Sequence, residues 1–182
     1  MKDERSLKKQ NIKEIKESKK DSAVKSVVVK GMLIAAAMLF SYLETFIPMS
    51  FVVPGFKLGF ANIITVYALY RFGSKDAVLI GLTRVLLSAV LFGNTMTLLY
   101  SLAGLFFSLI SMILSKKIIK ASVVPVSIIG AVFHNIGQCL VAAVLLNSPA
   151  IFYYLGILIL CGIGTGILIG VLGKILLSID NM

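Results

Sequence analysis

One histidine and two cysteines in 182 residues exclude several kinds of chemistry at once. A single His does not supply the two axial imidazoles of a bis-histidine haem, and no Cys-x-x-Cys-His stretch offers covalent haem attachment. Cys139 and Cys161 lie inside apolar runs without metal-ligand spacing, so they read as small buried hydrophobes rather than a disulfide or a zinc site. No metal site and no cofactor is assigned. A phosphate loop of the form G-x-x-x-x-G-K-S/T is missing, which leaves no ATP-hydrolysing machinery. Nor does the sequence predict a cleavable signal peptide: the first apolar run begins near Val27, behind a long charged segment, and is too long for a signal core.

What the sequence has in quantity is apolar residues, 58% of the chain, with a mean hydropathy of +0.98. Soluble domains run nearer half apolar and do not sustain such long uncharged stretches. The net charge of +10 is unevenly placed, with ten Lys/Arg against five Asp/Glu in residues 1–30 and eight against three in the rest. Basic proteins often bind nucleic acid, but here the positive charges sit at the ends of apolar runs. That is the ordinary pattern of cytoplasmic membrane loops, so no nucleic-acid partner is assigned. The partner read from composition is the lipid bilayer, in a multi-pass protein of a bacterial-type plasma membrane.

Two regions follow: residues 1–26, a lysine-rich mixed-charge tail that is disordered or lies as a helix on anionic headgroups, and residues 27–178, a six-helix transmembrane domain. The apolar runs cover about Val27–Ile47, Leu58–Phe72, Ala77–Phe92, Met96–Leu114, Val123–Leu146 and Ile151–Leu177. A crossing needs about 20 residues, and the second run is short for one. Arg71 and Lys75 flank the second connection, and Lys116, Lys117 and Lys120 fill the fourth. The connections around Gly93–Asn94–Thr95 and Asn147–Ser148–Pro149 carry no charge, and the first carries only Lys57. Six crossings with both termini cytoplasmic satisfy the positive-inside rule at every loop, whereas five or seven break the alternation. The predicted fold is therefore an all-α integral membrane bundle.

Polar side chains inside the bilayer cost about 2.5–3.5 kcal/mol when ionisable, and normally face a partner, a cavity or a ligand. Placed by depth on the predicted topology, Glu44 lies near the outer end of the first helix and Lys57 and Asn62 at the outer start of the second. Arg84 falls about halfway along the third. Tyr100 and Ser101 fall in the outer half of the fourth, and His134, Asn135 and Gln138 at or just outside the midpoint of the fifth. The inner half is close to purely apolar, which predicts a polar pocket open to the outside. The competing reading is a structural network in which Glu44 pairs with Arg84 or Lys57. The loop Pro48–Lys57, stiffened by two prolines, reads either as a lid over that pocket or as a plain interfacial loop. Gly162, Gly166 and Gly170 recur every four residues, a small-residue stripe for close helix packing; Gly31 and Ala35 give the first helix a weaker one.

The same residues carry a family resemblance. Glu44, Pro48, Pro54–Gly55, KLGFAN (Lys57–Asn62), Arg84, YSLAG (Tyr100–Gly104) and GAVFHNIGQ (Gly130–Gln138) together resemble the Gx transporter family, also labelled heptaprenyl diphosphate synthase component I, over roughly residues 30–177. That family is similar in turn to substrate-capture (S) components of energy-coupling-factor transporters. The resemblance implies a six-helix S-component-like bundle with an outward pocket beneath the first outer loop, coupled to a transmembrane protein and ATPases. One departure leaves that coupling open: S components dock through an Ala-xxx-Ala stripe, where here Ala35, Ala36 and Ala37 are consecutive.

Three functions follow as expectations. The first is a transporter subunit that captures an unidentified small molecule from outside, with Arg84 and Lys57 on anionic groups, His134, Asn135, Gln138, Asn62 and Tyr100 lining the pocket, and Glu44 balancing charge or binding a cationic group. The second, implied by the family's other label, is a non-catalytic membrane partner of a polyprenyl diphosphate synthase. Asp occurs at positions 3, 21, 76 and 180, all isolated, whereas prenyl transfer needs clustered carboxylates to hold Mg²⁺, so the chain itself is not expected to be an enzyme. The third is a membrane subunit of an electron-transfer, quinone- or flavin-handling assembly.

Overall fold

The computed structural model describes residues 2–46 and 59–180. Within them the chain forms six α-helices: α1 (Lys2–Leu43), α2 (Asn62–Arg71), α3 (Ser74–Phe92), α4 (Thr95–Ile118), α5 (Val123–Leu145) and α6 (Leu155–Asp180), with short 3-10 turns at Glu44–Phe46 and Pro149–Tyr154. Among the described residues no strand occurs, and each predicted apolar run maps onto one helix. The chain divides into two units, Met1–Leu33 and Ile34–Met182, with the boundary inside α1.

Length and charge separate the helices. Ile15–Leu43 in α1, then α4, α5 and Ala150–Asp180 are each long and apolar enough to cross a membrane. At about 1.5 Å per residue, the 24 residues of α4 extend about 36 Å, against a hydrocarbon core of about 30 Å. The 19 residues of α3 suffice in length, but Lys75, Asp76 and Arg84 make it too charged to qualify. The ten residues of α2 reach about 15 Å, half a crossing. The six expected helices are therefore present, and four of them meet both criteria; α2 and α3 do not, because the second apolar run becomes helix only at Asn62 and the third keeps its charges.

In the first unit, residues 2–33 are helical. Its Lys13–Glu17 pair, four residues apart at 4.0 Å, is exposed and supports the helix only weakly.

The second unit is built around α5, packed on α4 along one side and α6 along the other. Small residues make both contacts. A Cβ at Gly166 would lie 2.6 Å from the Ile128 Cα, and one at Gly170 2.8 Å from the Val124 Cα, so α6 meets the backbone of α5 directly. On the other side, Gly137 lies beneath the Ala103 carbonyl and Gly130 beneath Met112 of α4. Without a hydrophobic drive between helices in lipid, such close approach is what supplies dispersion contact. By contrast Gly31 has open space around it and Ala35 is exposed, while Ala37 is the buried alanine of α1.

Polarity is arranged inside out. Leu160, Val90, Val144 and Phe106 are exposed, whereas Ser108, Ser127, Asn62, Arg84, His134 and Gln138 are buried. A soluble protein would not leave so much aliphatic surface open; in a bilayer that surface is solvated by acyl chains.

The C-terminal end of α2 is tied down by polar bonds. Lys116 Nζ donates to the Leu69 carbonyl at 2.6 Å and lies 4.6 Å over the Tyr70 ring. Tyr70 donates to the Ala121 carbonyl at 2.7 Å, and Arg71 pairs with Asp180 at the end of α6. The basic connections after α2 and α4 therefore lie at one end of the bundle. The N-terminal end of α2, about 14 Å away, faces a different set of groups.

Candidate ligand-binding site

α2 begins in a tight turn that puts its first residues against three other helices. Gly59 has φ +84, a left-handed conformation that suits glycine, and it brings the Phe60 amide onto the Glu44 carboxylate just past α1. Asn62 Nδ2 is then 3.0 Å from where a Gly59 Cβ would stand, and His134 Cδ2 and Nε2 are 3.4 and 3.6 Å from the same point. The asparagine and the imidazole thus face each other across a glycine without side-chain bulk between them.

His134 comes from the middle of α5. Gln138, one turn on, places its amide nitrogen 3.0 Å from His134 Nε2. The opposite face of the ring rests on Gly104 of α4, where a Cβ would come within 2.6 Å of Cε1. Arg84, from the middle of α3, donates through Nη1 to Ser41 Oγ of α1 at 3.2 Å. Glu44, three residues beyond Ser41, is near enough to act on the Arg84 charge electrostatically. Glu44, Asn62, Arg84, His134 and Gln138 are all 6% exposed or less, and the contacts through Phe60, Gly59 and Ser41 link them into one buried cluster.

The cluster carries unused hydrogen-bonding capacity. Both amide atoms of Asn62, the Gln138 Oε1 and the Arg84 Nε are buried with no hydrogen-bond partner among the described residues, as are the Thr65 and Ser88 hydroxyls one turn along from Asn62 and Arg84. A buried polar group left unsatisfied costs about 1–3 kcal/mol. Unpaired buried atoms occur elsewhere in the bundle too, among them the Ser108 and Ser127 hydroxyls and Asn135 Oδ1.

Two predicted residues have other surroundings. Tyr100 is buried in an apolar cluster with Cys139, Ala142, Ile151 and Leu158. Asn135 turns to α6, donating to the Leu158 carbonyl at 2.7 Å and lying beside Gly162. Lys57 and the loop Pro48–Lys57 lie outside the described residues. Sequence reasoning did not single out Ser41, Gly59 or Gly104 as members. Two signals pointed to them: Gly59 and Gly104 stand within KLGFAN and YSLAG, and Ser41 is one turn from Glu44. Two crevices are lined by apolar side chains. One of about 450 Å³ runs between α3 and α4, lined by Val78, Leu82 and Phe106; the other, of about 330 Å³, is lined by Phe40, Phe60, Ile63 and Leu172.

An all-α, multi-pass membrane protein with a buried polar cluster is the class that this fold and site define. The family model for heptaprenyl diphosphate synthase component I matches residues 33–176, and the chain belongs to that family. The match begins at the boundary of the second unit and takes in every residue of the cluster. No curated protein and no solved structure matches the chain.

Proposed function

We propose that this chain is the non-catalytic membrane component of a heptaprenyl (polyprenyl) diphosphate synthase, partnered by a separate catalytic subunit. The observation that carries this reading is the family match across residues 33–176. Chemistry supports the division of labour. Prenyl transfer requires carboxylates gathered around Mg²⁺, and the four aspartates of this chain are isolated in sequence. A component anchored in the bilayer holds a synthase where its increasingly apolar product partitions. The test is synthase activity in proteoliposomes with and without this chain. Longer products or a several-fold higher rate in its presence support the reading; identical rates and product lengths defeat it.

A second reading is favoured by the buried polar cluster: a transporter subunit, S-component-like, that captures a small molecule from outside and relies on a transmembrane coupling protein and ATPases for energy. Its topology has six segments in the bilayer with both termini cytoplasmic in a bacterial-type plasma membrane. Arg71, Lys75, Lys116, Lys117 and Lys120 then lie inside, and the cluster lies nearer the opposite side. Uptake of label into cells carrying or lacking this chain, with the synthase deleted in both, separates the two readings.

A further inference from the structure

The crevice of about 330 Å³ borders the polar cluster without belonging to it. Its wall includes Leu43, Phe60 and Ile63, the chain neighbours of Glu44, Gly59 and Asn62. From α6 come Leu168, Ile169 and Leu172, and from α1 also Phe40, so every lining side chain is aliphatic or aromatic. We propose that this crevice seats the far end of a prenyl chain whose diphosphate lies at the basic end of the bundle. The proposal rests on the synthase reading above and adds where the chain lies and which way it points.

The walls suit a single hydrocarbon chain delivered from the bilayer. Ile63 and Ile169 are buried, whereas Phe40, Leu43, Leu168 and Leu172 are 37–56% exposed, so the crevice opens sideways to lipid. The space exists because the part of α1 in the second unit stands off from its neighbours. It meets them through Ala37, Ser41 and Glu44, without the backbone approach that Gly166 and Gly170 allow between α5 and α6. At about 30 Å³ for each water-sized group, the volume holds roughly ten, the carbon count of two isoprene units. A helix about 10–12 Å across does not enter an opening that spans one turn of α6, about 6 Å. Phe40 and Phe60 add aromatic surface for the planar double bonds of a prenyl chain, which a saturated acyl chain lacks.

Charge fixes the direction. Beside the crevice, the polar cluster offers one cation, Arg84, against the Glu44 carboxylate that acts on it, which gives a diphosphate no net attraction. The other end differs. Ile63 stands eight residues before Arg71 and Leu172 eight before Asp180, and Arg71 pairs with Asp180. The basic end is therefore about 12 Å from the crevice along either helix. Lys75, Lys117 and Lys120 are exposed there, alongside Arg71 and Lys116, with Asp76 and Asp180 as the opposing charges. Between crevice and basic end α2 and α6 close up: a Cβ at Gly173 would lie 3.6 Å from Val66 Cγ1. The chain thus passes over their lipid-facing side rather than between them, with its diphosphate among the lysines and its tail in the crevice.

Photo-crosslinking of the full chain in phosphatidylcholine nanodiscs tests the seat. The probe is geranylgeranyl diphosphate with a diazirine at its tail, and peptide mass spectrometry locates the adducts. They are expected in Phe60–Ile63 and Leu168–Leu172, removed by excess unlabelled geranylgeranyl diphosphate and not by excess palmitate. Leu172→Trp, which fills the crevice, should cut labelling about tenfold. Each of Lys75→Gln, Lys117→Gln and Lys120→Gln should weaken it about fivefold. Labelling that palmitate removes equally, that spreads evenly over the lipid-facing helices, or that falls between Val78 and Leu109 in the other crevice overturns the proposal. Unchanged labelling after all three lysines are replaced overturns it as well. The wild-type competition decides the matter even where Leu172→Trp does not fold. Failure here is distinct from failure of the synthase reading: a synthase rate that responds to this chain, with no adducts at these two segments, removes the seat alone. Adducts at the seat with a synthase indifferent to the chain remove the synthase reading and keep the seat.

Discussion

The imidazole of His134 on α5 packs against Gly104 on α4, where a methyl group at position 104 would meet Cε1 at 2.6 Å and Nδ1 at 2.7 Å. A glycine on one helix thus sets the position of the histidine on the next, and through its 3.0 Å contact the position of Gln138. Gly104→Ala should push the ring off its seat. The expected cost is about 1–3 kcal/mol, read as a lower thermal midpoint in nanodiscs. A variant as stable as wild type means that the ring moves freely and that Gly104 positions nothing.

The glycines of α6 are not equivalent, although four of them fall within one stretch of nine residues. Gly166 meets the α5 backbone at 2.6 Å, whereas Gly164 has nothing within 4 Å. Gly166→Val should separate α5 from α6 and cost about 2–4 kcal/mol or prevent folding. Gly164→Ala should be neutral or slightly stabilising, since it faces lipid and raises helix propensity. Equal effects at the two positions would contradict the packing described.

Arg84 and Glu44 form the charged part of the cluster. Arg84→Met leaves the Glu44 carboxylate buried without its neighbouring cation, and removal of one member of a buried charge pair costs about 3–5 kcal/mol. Adding Glu44→Gln to that variant should recover part of the loss. A double-mutant cycle measures the recovery, and strict additivity would show that the two charges do not interact.

Topology has a direct check. In a Cys139→Ala/Cys161→Ala background, a cysteine at Ser148 should react with an impermeant maleimide added to whole cells. One at Lys117 should react only after the membrane is opened. Reversal of the two places the polar cluster toward the cytoplasm and removes the capture reading, without touching the synthase reading.

Much of this was legible from residue order, and the reasons are particular. The hydropathy of Val123–Leu146 has no other stable home than lipid, and backbone amides in lipid are satisfied only within helices or closed barrels. The spacing of Gly162, Gly166 and Gly170 announced a smooth helix face, and the structure sets that face against Val124 and Ile128. The rarity of buried polar residues drew attention to Asn62, Arg84, His134 and Gln138. Depth along a helix is a function of residue number alone, so these could be placed at similar levels before any fold was known.

Rotation about each helix axis is another matter. Asn135 is the chain neighbour of His134 at the same depth, yet about 100° around the helix it meets the Leu158 carbonyl of α6. Tyr100, also at the right level, faces Cys139 and Leu158 in apolar packing. The half-length of α2 and the left-handed turn at Gly59 that puts Asn62 beside His134 likewise came only from the tertiary structure. Composition, helix content and the inventory of buried polar groups were thus set by the sequence itself, because the transfer of each residue between water and lipid is a local property. Which of those groups meet was decided by packing, because contact depends on how six helices turn their faces toward one another.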